Sequence, residues 1–246
     1  MRALRWRRWR AAAISCRAPG MNLIIFDLDG TLIDSEAIIL GAQYETFARC
    51  GRVHPGREAG LGVIGLTLDI ALMRVAGLAE PDDVLTQTYR DVFNDMRRRA
   101  ETDPSLAEPL FPGVAEMLAG LSQRPQTLLG IATGKSRRGA DYAIEHHGWA
   151  SLFATTQTAD DAISKPHPGM ILRAMAETGA TPERTLMVGD STFDMEMAVA
   201  AGVTPVAVSW GFQPVAALRA AGAQHVIKNC AELTGIVDKL AVAEPA

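Results

Sequence analysis

The sequence predicts an α/β fold, a mostly parallel β-sheet flanked by helices, with a block of helices inserted behind the first strand. Three observations predict it. Short apolar runs alternate with longer amphipathic stretches, which is the pattern of βαβ units and a parallel sheet. About seventy residues between Asp34 and Pro109 contain no strand-like run and read as helices. Hydrophobic residues make up 48% of the 246 and charged residues 21%, enough for a sizeable core and against wholesale disorder.

In chain order, the apolar runs are Leu23–Phe26, Leu128–Ala132, Thr185–Val188, Pro205–Val208 and His225–Ile227. The helix-like stretches between them are Val114–Ser122, Ser136–His147, Gly169–Thr178, Asp194–Ala201, Pro214–Ala221 and Ala231–Leu240. Within the insert, Glu36–Cys50, Leu66–Val75 and Pro81–Arg99 also read as helices, and the glycines at 56, 60, 62 and 65 blur their limits. An insert at the carboxyl end of a strand sits where open α/β sheets bind ligands, so it is expected to cover a site. The predicted division is an extension over 1–20, a core built from 21–35 and 106–246, and a helical cap over 36–105.

Residues 1–20 hold six arginines and no acid. Removing these six from the 24 basic residues leaves 18 against 28 acids, a net of −10 in place of the whole-chain −4. The acidic remainder argues against nucleic-acid binding, which needs a clustered basic surface. Ala11–Ile14 is too short for the apolar part of a secretory signal. Met21 stands directly before the first strand-like run, so the extension reads as an upstream translation start, or second as a transit peptide. The longest uncharged stretch, Met197–Leu218, carries Gly202, Pro205, Gly211 and Pro214 and does not suit a membrane span. Three separated cysteines, Cys16, Cys50 and Cys230, provide neither a disulfide framework nor a zinc site. A reducing, cytoplasmic location is expected.

The chemistry gathers at strand ends. The first run leads into Asp27-Leu28-Asp29-Gly30-Thr31, and the second into Thr133-Gly134-Lys135. A loop after Ala154–Thr156 leads to Lys165, and the Thr185–Val188 run leads to Gly189-Asp190, with Asp194 four residues on. In a parallel sheet these side chains converge on one crevice. A carboxylate can act as a nucleophile toward phosphorus, and a second can move the proton. Asp27 suits the first role because it comes first off the strand, and Asp29 the second. A cluster of carboxylates beside a phosphate calls for a cation, and Mg²⁺ prefers such oxygen ligands. Other motifs are weaker. His146-His147 reads as a helix end before Gly148, Arg97-Arg98-Arg99 as a solvated helix end, and the ten methionines as core filler. Gly134-Lys135-Ser136 mimics the end of a P-loop, but the required upstream glycine is replaced by Leu129.

The segment Phe26-Asp27-Leu28-Asp29-Gly30-Thr31-Leu32 resembles the first motif of the haloacid dehalogenase-like hydrolase superfamily. Thr133, Lys165 and Gly189-Asp190-x-x-x-Asp194 resemble its second, third and fourth motifs, in order. The insert lies where subfamily I places its cap, and Val63-Ile64-Gly65-Leu66-Thr67-Leu68 resembles a cap loop of phosphoglycolate-phosphatase-like members. An arginine often found before that loop is absent here, where Gly60-Leu61-Gly62 stands. The resemblance covers Met21 to about Leu240 and implies a Rossmann-like core and a Mg²⁺-dependent phosphatase acting on a small phosphorylated metabolite. By the same resemblance, Asp27 is the nucleophile and Asp29 the general acid/base. Thr133, Gly134, Lys165 and the Leu28 and Asp29 N–H groups hold the phosphoryl oxygens. Asp27, the Asp29 carbonyl and Asp190 hold the metal, and Asp194 supports its waters or orients Lys165.

Asp29 argues against a dehalogenase, whose halide leaves without a proton. Residues 36–109 contain no lysine, which argues against a Schiff-base phosphonate hydrolase. A sugar phosphomutase of the β-phosphoglucomutase type uses the same four motifs and is the enzymatic alternative. A receiver-like domain or a degenerate phospho-ligand binding module is the non-enzymatic one. Neither the physiological substrate nor the oligomeric state is legible.

Overall fold

The computed structural model describes residues 20–242, so the Arg-rich extension lies, up to residue 19, outside the described residues. Six strands form one parallel sheet: β1 (Asn22–Phe26), β2 (Thr127–Ala132), β3 (Phe153–Gln157), β4 (Thr185–Gly189), β5 (Thr204–Val208) and β6 (His225–Ile227). Their spatial order is β3-β2-β1-β4-β5-β6, the Rossmann order. The order reverses at β1, which pairs β2 on one side and β4 on the other.

The strand sequences explain the layering. In β1 every residue is buried, so alternate side chains must enter two different cores. Ile24 and Phe26 pack with Ile131, Val188 and Val206 beneath α5 (Val114–Ser122), α6 (Arg137–His146) and α10 (Ala231–Val242). Leu23 and Ile25 pack with Met187 on the other face, beneath α7 (Gly169–Thr178) and α8 (Thr192–Ala201). Each such aliphatic side chain contributes roughly 1.5–3 kcal/mol by leaving water. A short helix, α9 (Val215–Ala220), packs Leu218 against Met195 and Ala207.

Between β1 and β2 lie α1 (Glu36–Arg49), α2 (Arg57–Leu61), α3 (Leu68–Val75) and α4 (Asp83–Arg99). They bury their own cluster, including Ile38, Phe47, Leu72, Leu85 and Val92. This is the helical cap. Core residue Phe193, in the first turn of α8, also packs into that cluster. The two connections between cap and core run side by side. The Asp34 N–H donates to the Pro109 carbonyl (2.8 Å), the Phe111 N–H donates to the Leu32 carbonyl (3.1 Å), and Ile33 bridges Leu110.

Expected elements fall within a few residues of the observed ones. The short helix α2 and the strand β3 were not among the expected runs. Both arise where sequence pattern is weakest, a glycine-rich stretch and a polar edge strand.

Candidate active site

Parallel pairing sets the geometry. Phe26 stands level with Ile131 and Val188, so the residues just beyond those ends emerge side by side. The Asp27 N–H donates to the Val188 carbonyl (3.0 Å) and the Thr133 N–H to the Gln157 carbonyl (3.0 Å). These ladder bonds hold the first residues of the strand-end loops rigid.

Asp27 and Lys165 are both almost fully buried. Lys165 Nζ lies 3.0 Å from Asp27 Oδ2 and donates to Asp194 Oδ1 at 2.6 Å. Asp27 Oδ1 accepts the Leu28 N–H (2.7 Å), whereas Oδ2 has the ionic contact with Lys165 but no well-aligned hydrogen bond. Burial pushes the Asp27 carboxyl up to about 7; Lys165 opposes this, and Asp194 and Asp29 add to it. Burial likewise disfavours a charged Lys165, but Asp194 and Asp27 override it and keep the ammonium protonated.

Asp190 accepts from the Thr31 hydroxyl at Oδ1 (3.1 Å) and from the Phe212 N–H at Oδ2 (2.8 Å). Burial, then Asp194 and Asp27, raise its carboxyl well above the ordinary range against those two donors. Gly30 and Gly211 stand against it, and a Cβ at either position would overlap the Asp190 side chain. Asp194 belongs to a capping box at the start of α8: its Oδ2 accepts from the Ser191 N–H (3.1 Å) and hydroxyl (2.6 Å). Helix capping thus fixes the carboxylate that orients Lys165.

Carboxylate oxygens of Asp27, Asp190 and Asp194 lie within 4.8 Å of one another, the one such group among the described residues. Three buried acids faced by one lysine, with two of them held toward neutrality by burial and mutual repulsion, fit a hard divalent cation. Both Asp194 oxygens have donors, one of them the Lys165 ammonium, and both Asp190 oxygens have neutral donors, so Asp27 Oδ2 is the carboxylate oxygen of the three acids without a hydrogen-bond donor. The Asp29 side chain turns elsewhere. Its Oδ1 accepts from the Ser35 hydroxyl (2.5 Å) and lies 2.8 Å from Lys135 Nζ, which leaves its backbone carbonyl for a cation.

The structure thus brings Asp27, Asp29, Thr133, Gly134, Lys165, Asp190 and Asp194 to one edge of the sheet. The Leu28 N–H, expected to face phosphate, is engaged by Asp27. The Thr133 hydroxyl accepts the Lys135 N–H (3.2 Å) and keeps its own proton to donate. Gly134 lies beneath the cap loop, where a Cβ would run into the carbonyls of Gly65 and Leu66. The Thr67 N–H donates to Ser164 Oγ (3.0 Å), so the same loop also touches the segment that carries Lys165.

One expectation is corrected. Arg97 is not a solvated helix end. Its side chain is largely buried, paired with Glu108 (3.1 Å) and stacked over the Tyr142 ring at 3.9 Å, whereas Arg98 and Arg99 are exposed. The sequence reading also missed Ser35, Ser191, Glu108 and a site role for Lys135. Of these only Ser191 had a local signal, the Ser-x-x-Asp spacing of a capping box.

A Rossmann-ordered sheet with a helical cap and a lysine-bridged acid cluster at its carboxyl edge defines an α/β enzyme of phosphoryl chemistry. The chain belongs to the haloacid dehalogenase-like hydrolase family, whose sequence pattern matches residues 24–208. It is 36% identical to the probable phosphatase IndB of Dickeya dadantii, over 89% of this chain and 94% of that one. It is 31% identical to a phosphoglycolate phosphatase of Synechococcus elongatus, over 89% and 99%. Pyrophosphatase PpaX of Oceanobacillus iheyensis is 29% identical, over 88% and 97%. Among solved structures, a haloacid dehalogenase-like family hydrolase of Streptococcus pneumoniae superposes with a TM-score of 0.74 at 25% identity, covering 89% of this chain and 99% of that one. The protein is a phosphatase of this family and acts on phosphorylated substrates. No helix among the described residues is long and apolar enough to cross a membrane.

Proposed function

We propose that the protein is a Mg²⁺-dependent, cytoplasmic phosphatase that hydrolyses a small phosphomonoester through an aspartyl phosphate on Asp27. The observation that carries this reading is the buried cluster itself: Asp27 with one oxygen lacking a hydrogen-bond donor, faced by Lys165 and flanked by Asp190. Residues 36–105 act as the cap and 21–35 with 106–242 as the catalytic core; the end of the expected core, 243–246, lies outside the described residues.

Asp27 attacks phosphorus, and a new oxygen–phosphorus bond forms as the ester bond breaks. Asp29 gives its proton to the departing oxygen and then takes one from the water that hydrolyses the aspartyl phosphate. Lys165, the Thr133 hydroxyl and the N–H groups of Asp29 and Gly134 hold the phosphoryl oxygens, and water exclusion beneath the cap strengthens each contact. Asp27, the Asp29 carbonyl and Asp190 would hold Mg²⁺, which supplies positive charge against the negative charge of substrate and cluster. Asp194 fixes Lys165.

Relatives bearing the names phosphoglycolate phosphatase and pyrophosphatase support small substrates with two anionic groups. The decisive experiment pairs Asp27→Asn with a panel of small phosphate esters and pyrophosphate. Phosphate release should fall by at least about 10³-fold in the variant while its melting temperature holds, because the nucleophile is gone. It should also stop on chelation and return with Mg²⁺. Turnover retained by Asp27→Asn, or persisting in chelator, rejects the mechanism. Sugar-phosphate isomerisation that depends on an added bisphosphate would establish the mutase instead.

A further inference from the structure

We propose that Lys135 is the positioning residue for Asp29, held in place by Glu108 and Arg97. The proposal rests on the acid/base reading of Asp29 given above. Its basis is a chain of alternating charge that begins in the cap and ends at the reacting centre. Arg97, on α4, donates to Glu108 Oε2 at 3.1 Å, and Glu108 lies on the connection returning from cap to core. Glu108 Oε1 lies 3.4 Å from Lys135 Nζ, and that ammonium lies 2.8 Å from Asp29 Oδ1. The Ser35 hydroxyl donates to the same Oδ1 at 2.5 Å. The Ser35 hydrogen bond and the Lys135 ammonium meet on one oxygen, which restrains the carboxyl group and leaves Oδ2 without either contact.

The lysine is itself fixed at its backbone. Its N–H donates to Thr133 Oγ1 at 3.2 Å, and its carbonyl accepts the Ala159 N–H at 3.0 Å. Lys135 therefore ties together the loops after β1, β2 and β3. Its burial alone would disfavour the charge, but Asp29 and Glu108 outweigh that and lift its pKa, so the ammonium persists. The Arg97 guanidinium is braced over the rings of Tyr142 (3.9 Å) and Phe93 (4.9 Å). All three side chains of the chain are largely buried, at 9% exposure for Lys135, 11% for Glu108 and 15% for Arg97. Desolvating such groups consumes most of what their attraction gains, and apolar side chains of similar size would stabilise the fold as well or better. Placement of a reacting group accounts for the arrangement where stability does not.

The test is the dependence of kcat/KM on the leaving group, which covers steps through formation of the aspartyl phosphate. Wild type, Asp29→Asn, Lys135→Met and Lys135→Arg are compared on phenyl phosphate, whose leaving group needs a proton, and on 2,4-dinitrophenyl phosphate, whose leaving group does not. In Lys135→Met, kcat/KM should fall about 10–100-fold on the phenyl ester and less than about threefold on the dinitrophenyl ester. The loss should appear in kcat, and Lys135→Arg should recover part of it. Equal losses on both esters through KM would make Lys135 a substrate ligand and overturn the proposal, as would no loss on either. If Asp29→Asn is steep and Lys135→Met is flat, only the role of Lys135 fails. If Asp29→Asn is itself flat, the acid/base reading fails first. Should Lys135→Met not fold, the double variant Lys135→Met/Glu108→Gln removes one charge of each sign. It should show the same selective loss, and its retention of full phenyl phosphate activity would equally overturn the proposal.

Discussion

At the scale of single residues, two glycines are required by the approach of one carboxylate. Gly30 has a left-handed φ of +78° and Gly211 has an ordinary φ, yet each stands where a Cβ would strike Asp190. The Cβ of an alanine at 211 would also lie 2.6 Å from the Gly30 carbonyl oxygen. Gly211→Ala should therefore push Asp190 out of the cluster and weaken Mg²⁺ binding about 10–100-fold, read by calorimetric titration of the metal-free protein. Unchanged affinity would mean that Asp190 is not a ligand. Asp27 and Thr133 were legible because each follows an apolar run directly, after Phe26 and Ala132, and Asp190 because only Gly189 separates it from Val188, whereas Lys165 and Asp194 were legible by their order after these. Lys135 was legible only as a failed P-loop lysine. Its partners Asp29 and Glu108 are 106 and 27 residues away in sequence, and no local pattern encodes such contacts. Gly211 was likewise legible only as a helix breaker, because the atom that forbids its side chain sits on a different strand-end loop.

Among the elements, those with clean periodicity were legible to within a few residues, and α5 and α7 match their expected limits. The strand β3 was not, for a physical reason. It is an edge strand reading Phe-Ala-Thr-Thr-Gln, so it lacks the apolar run of a strand buried on both faces. Its buried polar side chains are linked instead, the Gln157 amide donating to Thr155 Oγ1 at 2.9 Å and the Thr155 hydroxyl donating to Glu177 Oε2 at 2.6 Å. Helix α8 shows how an element can serve chemistry through its end. Its capping box holds Asp194, and Asp194 holds Lys165. Removing the cap hydroxyl should then have two separable effects. Ser191→Ala should cost about 1 kcal/mol of unfolding free energy in denaturant titration, the usual cost of losing an N-cap. It should also lower kcat, because Asp194 loses one of its two donors on Oδ2 and holds Lys165 less firmly. A stability loss with wild-type kcat would separate the helix cap from the catalytic apparatus.

For the molecule as a whole, the acid cluster couples folding to pH and to metal in an unusual direction. Most carboxylates in native ion pairs have lowered pKa values; Glu108 and Asp161 do, through Lys135, Arg97, Thr158 and Arg137 acting against burial. Their stabilisation is present above the ordinary 4.5 and 3.8, is lost as pH falls below, and so is nearly complete by about pH 5. Asp27 does the reverse. Its pKa rises from 3.8 to about 7 on folding, so between those values the native state binds the extra proton and stability falls as pH rises. Asp190 shifts the same way. Asp27 alone withdraws on the order of a few kcal/mol from the metal-free protein by neutral pH, and Asp190 acts in the same direction. A divalent cation that replaces those protons binds the native state alone, and it binds better as the carboxyls ionise. The melting temperature without metal should therefore fall as pH rises from about 5 to about 7, while the rise on adding saturating Mg²⁺ should grow over the same interval. Asp27→Asn cannot ionise at that position and should flatten the metal-free slope. A Mg²⁺ shift that is constant or shrinks with pH would show that the cluster does not hold the metal through these carboxylates.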